Sequence, residues 1–377
     1  PWRSSVMRTV PAGAASFAAD GKTLTITNAP GTIINWQQFS IRPDEITRFV
    51  QQGAASAVLN RVTGGDPSQL LGQLLSNGRV FLVNPAGITI GAGAHIDTAG
   101  FIASSLNIAD ADFLSGRMKF AALGTAGKVE NHGTIRAHQG PVYLIAPGVE
   151  NHGVIRADNG DVLLAAGKRV EIVAGASPHL RVEIDNADGA AAINVGELVG
   201  RSVNLYGTAL RTAGSVNADR VSVTERGSIV LYAARDATLE ASSRLTASGA
   251  HGGNVRVESG GTLLVDGVVE ARGASGRGGE TILAGADYQG GNAAVRNAAR
   301  PYVGPGATLR ADATASGDGG KIIVWADEAT RYFGAASARG GAAGGDGGLI
   351  EVSGRQYLDF QGSADTRAPR GATGLLL

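Results

Sequence analysis

The chain has 377 residues, 57 of them glycine and none cysteine, and its 33 acidic and 33 basic side chains cancel. Zero net charge removes the electrostatic case for nucleic acid or an anionic membrane surface as partner, and no apolar run approaches the ~18 residues of a membrane-spanning helix. Aromatic residues make up only 5%, too few for large globular cores but suited to a narrow one filled by Val, Ile, Leu and Ala. The absence of cysteine suits a chain that crosses compartments unfolded. With Pro1 first and no signal peptide, a processed or cut chain is expected.

Residues 1–41 read as strands. Thr23-Leu24-Thr25-Ile26-Thr27 alternates cleanly, and Ile33–Ile41 follows a Pro30-Gly31 turn. A stack of coils exposes unpaired edge groups at its first coil, so this segment is expected to be a β cap with Trp36 packed inside it. Residues 43–50 fit two patterns. Ile46, Phe49 and Val50 have helical spacing behind Asp44 and Glu45, while Ile46, Arg48 and Val50 also alternate as a strand would. Next come Asn60-Arg61-Val62, a Gly64-Gly65 turn, and Ser68-Gln69-Leu70-Leu71-Gly72-Gln73-Leu74. Asn77-Gly78-Arg79-Val80-Phe81-Leu82-Val83-Asn84-Pro85-Ala86-Gly87-Ile88 completes the run. Pro85 presets φ at the first central position of a turn, Gly87 can close it, and the Asn84 side chain can bond its own backbone.

This fixed spacing of Asn-Arg-Val, Ser-Gln-x-x-Gly-x-Leu, Asn-Gly-x-Val-Phe-Leu and Asn-Pro-x-Gly-Ile resembles the N-terminal secretion domain of two-partner-secretion exoproteins. The likeness is to the filamentous-haemagglutinin type, nearest the high-molecular-weight adhesins. Ala86 departs from the Asn usual in that family, which keeps the turn plausible and removes one polar group. Gly100-Phe101-Ile102-Ala103-Ser104-Ser105-Leu106-Asn107-Ile108 also resembles the family. The resemblance implies an all-β chain folded as a right-handed parallel β-helix with an N-terminal cap and extra-helical strands or loops. It implies a secretion signal carried by Asn60, Arg61, Asn84, Pro85, Gly87 and Ile88. The implied partner is a cognate outer-membrane transporter with periplasmic POTRA domains, which receives the exoprotein unfolded in the periplasm and delivers it to the cell surface. Host receptors would be met by downstream regions, with no nucleic acid and no membrane insertion.

A tandem copy lies in the middle of the chain. Val129-Glu130-Asn131-His132-Gly133-Thr134-Ile135-Arg136-Ala137 returns 20 positions later as Val149–Ala157, with Val154 in place of Thr134 the one change. A period this short, built of alternating strands, makes one coil of a solenoid. Val129 and Ile135 should face in, and Glu130 and Arg136 out. Asn131 over Asn151 can form an amide ladder, Gly133 and Gly153 are expected to supply positive φ at a bend, and His132 should stack on His152. No third ligand recurs in that register, so no metal site is expected.

The period loosens across Ser177–Ala192, expected to be a loop or edge strand leaving the coil. Short strands then resume at Val203–Leu205, Val221–Val223 and Ile229–Leu231. A second theme follows, in which strand ends at Leu245–Gly249 and Val269–Gly273 are joined by glycine loops to Gly-Gly starts. The starts are Gly252-Gly253, Gly278-Gly279, Gly319-Gly320 and Gly347-Gly348, and residues 286–306 interrupt them like an insertion. This half also resembles the region after the secretion domain in adhesins and haem–haemopexin-binding exoproteins. The expected division is a secretion domain over 1–245 and continuing glycine-rich coils over 246–377, in one continuous rod. The final Gly374-Leu375-Leu376-Leu377 reads as a strand start that continues in a longer protein.

Parallel β-helices also carry polysaccharide-degrading enzymes, which need paired carboxylates. Asn107–Asp112, with Asp110 and Asp112, is expected to be a solvated turn, Asp346 is isolated, and Asp318-Gly319-Gly320-Lys321 lacks the spacing of a phosphate-binding loop. No catalytic site or cofactor is expected. A carbohydrate-active enzyme and a host-ligand or polysaccharide-binding module are the alternative readings.

Overall fold

The computed structural model describes residues 8–173, 181–185, 189–220, 225–274 and 281–377. The chain is a parallel β-helix whose contacts cluster into two units, Pro1–Gly200 and Arg201–Leu377.

In the first unit each coil is three short strands, and each strand pairs in parallel with its counterpart one coil away. Ser68–Leu70, Gln73–Ser76 and Arg79–Val83 are followed by Ile88–Ile90, His95–Thr98 and Gly100–Ser104 in register. Next come Val129–Asn131, Thr134–Ala137 and Val142–Ala146. The tandem copy then stacks residue on residue, with Val129 on Val149, Asn131 on Asn151 and Ile135 on Ile155. Alternation explains the core, because Val129, Ile135, Val149 and Ile155 are fully buried while Arg136 and Arg156 are exposed.

The N-terminal strands cover the stack. Arg8–Ala12 and Ala15–Asp20 pair antiparallel with Thr32–Trp36 and Thr23–Asn28. Those partners are already coil strands, paired in parallel with Ala57–Val62 and Ile46–Val50. The cap is thus narrower than residues 1–41. Two antiparallel strands satisfy the edge that the first coil would leave open. Trp36 is 3% exposed, edge-on to Phe17 at 5.9 Å and Phe39 at 5.3 Å. Residues 46–50, readable as helix or strand, form a strand because Ile46–Val50 sits between two parallel partners that satisfy its backbone.

A four-stranded antiparallel sheet stands outside the coils, made of Asn107–Ile108, Met118–Ala121, Arg169–Val173 and Arg181–Asp185. The edge strand expected within 177–192 is Arg181–Asp185, while residues 177–180 and 186–188 lie outside the described residues. The solvated turn expected at Asn107–Asp112 is corrected. Asn107–Ile108 is a strand and Asp110–Leu114 a short helix, because Ile108 and Phe113 are buried and fasten the segment, with Phe113 edge-on to Phe81 at 5.2 Å.

In the second unit the glycine-led starts open the strands Asn254–Ser259, Thr281–Ala284, Lys321–Ala326 and Leu349–Gly354. Their second residues Val255, Ile282, Ile322 and Ile350 stack in one register. Residues 278–279 and the strand expected at 221–223 fall outside the described residues. The interruption over 286–306 holds a short 3-10 turn at Tyr288–Gly290 before coil strand Arg300–Val303 resumes.

Candidate functional site

Asn60 sits on the Ala57–Val62 strand and is fully buried. Its Oδ1 accepts from Trp36 Nε1 at 3.0 Å and its Nδ2 donates to Phe81 O at 3.3 Å, which ties together the coil strand beneath the cap and the two that follow it. Arg61 points the other way from the same strand. Its Nη2 donates to Ile108 O at 2.7 Å and pairs with Asp110 Oδ1 at 2.7 Å, so it ties the extra-helical segment to the coil.

Asn84 ends the Arg79–Val83 strand and is also fully buried. Its Nδ2 donates to Asp66 O at 3.0 Å and Ser68 Oγ at 2.9 Å, and its Oδ1 accepts from Ala86 N at 3.0 Å. Gly87 N closes the turn on Asn84 O at 3.0 Å. Pro85 occupies the first central position, Ala86 has negative φ, and Gly87 adopts φ +113°, a conformation that an L side chain rarely takes. A Cβ there would also meet Lys128 O at 3.0 Å. Ile88, 1% exposed, pairs with Ser68 on one side and Val129 on the other. The fold therefore gathers Asn84, Gly87 and Ile88 around Ser68, and places Asn60 and Arg61 on opposite faces of the strand that pairs with Arg79–Val83.

Asn131 Nδ2 donates to Asn151 Oδ1 at 2.8 Å, and Asn151 Nδ2 donates to Asn194 Oδ1 at 2.8 Å, all three side chains being fully buried. Asn194 was missed from the sequence. Its signal is the Asn-x-Gly spacing in Asn131–Gly133, Asn151–Gly153 and Asn194–Gly196, which the excursion of the chain into the extra-helical sheet pushes 43 residues away. The positive φ expected at Gly133 and Gly153 is corrected, since neither adopts it. Glycine is needed there for close approach instead. A Cβ on Gly153 would lie 2.1 Å from Gly133 O, and one on Gly196 would lie 2.0 Å from Gly153 O.

His132 and His152 stack with ring centroids 4.8 Å apart. Glu150 accepts from Lys128 Nζ at 2.7 Å, which holds the carboxyl below its usual range and raises the lysine. This pair is half open to solvent and adds little stability. Among the described residues no group of three or more His, Cys, Asp or Glu is placed to hold a metal ion, and no helix is long and apolar enough to cross a membrane.

The family model of the TPS secretion domain matches residues 8–257. The chain belongs to the TPS secretion-domain family. The crystal structure of the HMW1 secretion domain from Haemophilus influenzae superposes with a TM-score of 0.84 at 32% identity, covering 96% of this chain and 100% of that one. A heme/hemopexin-binding protein of Haemophilus influenzae strain Rd is 40% identical over 97 residues, 26% of this chain and 11% of that protein. A second heme/hemopexin-binding protein of Haemophilus influenzae is 39% identical over 75 residues, 20% of this chain and 8% of its own length. The match thus spans about a tenth of these curated relatives. The TPS fold and family membership are those that the spacing over residues 60–108 resembles.

Proposed function

We propose that this TPS domain is the N-terminal secretion and fold-nucleating region of a large adhesin-like exoprotein, read by a cognate outer-membrane transporter through periplasmic POTRA domains. The observation that carries this reading is the burial of Asn60, Asn84 and Ile88, at 0%, 0% and 1% exposure. A folded coil offers a partner none of these side chains, so a transporter that reads them must do so on the unfolded chain. An extended chain is commonly captured by adding it as a strand to a sheet edge, with pockets for alternate side chains. The β-prone runs within Asn60–Leu74 and Val80–Ile88, beside their polar turns, suit that mode. Past the transporter the same residues act again. Asn84, Pro85 and Gly87 close the turn on which the next coil stacks, and each added coil buries apolar groups at roughly 0.8 kcal/mol per CH₂, which biases movement outward. We assign residues 1–245 to this role, residues 246–377 to continuing coils, and host-receptor engagement to parts of the exoprotein beyond them. The working location is the cell surface or medium, reached unfolded through the periplasm, and no step calls for catalysis or a cofactor.

The test is Asn84→Ala with Pro85→Ala in the exported protein. Secretion through the cognate transporter should fall further than the thermal stability of the refolded domain. Unchanged secretion, or a loss matched by failure to fold in vitro, removes the signalling role and leaves only a turn.

A further inference from the structure

The second unit carries an apolar cluster outside the coil interior. Strand Lys321–Ala326 turns Ile322 and Val324 inward, yet Ile323 and Trp325 on its outer face are also buried, at 0% and 8% exposure. Leu283, one coil earlier, lies in register with Ile323 and is 8% exposed. An outer face of a coil is normally solvated. Here Ala286 and Val295, from the segment between Gly285 and Ala299, close over these three side chains. The segment leaves the coil and returns at one point, where Ala298 N donates to Gly285 O.

Two buried carboxylates hold this segment down, and they come from different coils. Glu258, on Asn254–Ser259, is 3% exposed and its Oε2 accepts from Arg296 N at 2.6 Å. Glu351, on Leu349–Gly354, is 1% exposed and its two oxygens accept from Gln289 N at 3.1 and 3.3 Å. Between them Asp287 pairs with Lys321 Nζ at 3.3 Å. Gln289 is the one non-glycine with positive φ among the described residues, at +52°, a strained conformation that persists only where its surroundings impose it. The next residue, Gly290, packs against the Trp325 ring so closely that a Cβ would lie 2.5 Å from it.

We propose that residues 286–299 form a strap that locks four successive coils together, seals an apolar platform on their outer face, and closes last. The anchors span the strands Asn254–Ser259, Thr281–Ala284, Lys321–Ala326 and Leu349–Gly354, so none of these coils can peel away without releasing the strap. The order of closure follows from the chain. The strap precedes the strand that bears Glu351 by about two coils, so the acceptor for Gln289 N does not exist until Leu349–Gly354 has docked on Lys321–Ala326. Before then the carboxylate is solvated, the strained backbone at Gln289 has nothing to impose it, and the strap stays open. Coil addition is thereby checked at one point, because a stack that has reached the Glu351 coil is locked and an earlier one is not.

The test uses hydrogen exchange of the whole chain and needs no transporter, so it stands apart from the secretion reading. Two variants separate strap from strand: Glu351→Ala removes the acceptor, and Val295→Ser alters only the strap. In both, exchange in 286–299 should quicken on the order of tenfold. Exchange in 254–259, 281–284 and 321–326 should rise with it, while 57–62 and 79–83 stay unchanged. Pulse labelling during refolding should show the Gln289 amide protected together with, or after, residues 349–354. A faster strap over unaltered strands overturns the lock. An effect of Glu351→Ala without one from Val295→Ser assigns the effect to the strand and overturns it as well. Protection of Gln289 before residues 349–354 overturns the order of closure.

Discussion

Asn151 is the middle rung of the amide ladder, and replacing it with Leu gives a sharp test of what the ladder contributes. Leucine keeps the same branched heavy-atom skeleton, with two methyl groups somewhat bulkier than the amide oxygen and nitrogen they replace. The change removes the 2.8 Å bond from Asn131 Nδ2, the 2.8 Å bond to Asn194 Oδ1, and a longer one from Asn151 Nδ2 to Gly153 O at 3.3 Å. Asn131 Nδ2 is then left with Gly133 O at 3.4 Å, a poor partner in a fully buried site. A net hydrogen bond is worth about 1 kcal/mol, and a stranded buried amide costs about 1–3 kcal/mol. The local loss should therefore be about 3 kcal/mol, which is roughly a hundredfold in an opening equilibrium. Two compact units make a single global unfolding energy a poor measure. Native-state exchange at His152 N and Val195 N, which donate to Asn131 O and Asn151 O at 2.7 Å each, reads the change where it occurs. Replacing Asn131, Asn151 and Asn194 together by apolar residues should cost less than the sum of the single changes, since no ladder side chain is then left stranded and Gly133 N alone loses its acceptor, Asn131 Oδ1. A change of threefold or less for Asn151→Leu, or a triple replacement equal to the sum, would refute the ladder as a source of stability.

Gly153→Ala should destabilise the first unit by about 1–3 kcal/mol through backbone displacement, because the added Cβ meets Gly133 O at 2.1 Å; native-state exchange at Val154 N, which donates to Gly133 O, checks it. Arg61→Ala should release the Asp110–Leu114 helix, so that exchange at residues 107–121 quickens while Asn60 and its strand keep their protection. Asn60→Leu should let the cap over Trp36 open faster, read as faster exchange of the Trp36 indole N–H, since the indole Nε1 loses its partner. The pH dependence of the strap follows from Glu258. Burial pushes its carboxyl above the usual range, against the pull of Arg256 and Arg296, so folding takes up a proton there. Its contribution is fully present below the unfolded value of about 4.3 and is lost as pH rises through the raised folded value. Strap protection should decline over that window, and Glu258→Gln should flatten the profile. A decline of the same size in the variant would remove Glu258 as its cause.

The sequence by itself determined the repeating element. Because a parallel coil stacks each residue on its counterpart, the 20-residue recurrence of Val129–Ala137 at Val149–Ala157 is already a statement of register, and alternation already sorts Val129 and Ile135 from Glu130 and Arg136. The run from Asn60 to Ile88 was likewise legible, since local turn chemistry dictates Asn84, Pro85 and Gly87. Contacts between distant coils were not legible. The strand at 46–50 carries both periods, and only its two parallel neighbours decide between them. Gly133 and Gly153 are small because carbonyl groups one coil away approach them, a demand no local pattern reveals. Asn194 rejoins its ladder after the chain has left for another sheet, and Glu258 and Glu351 read as ordinary outward charges until a segment between them folds back and buries both. Local periodicity sets the coil, but which polar groups lose their water is decided only when non-neighbouring segments meet.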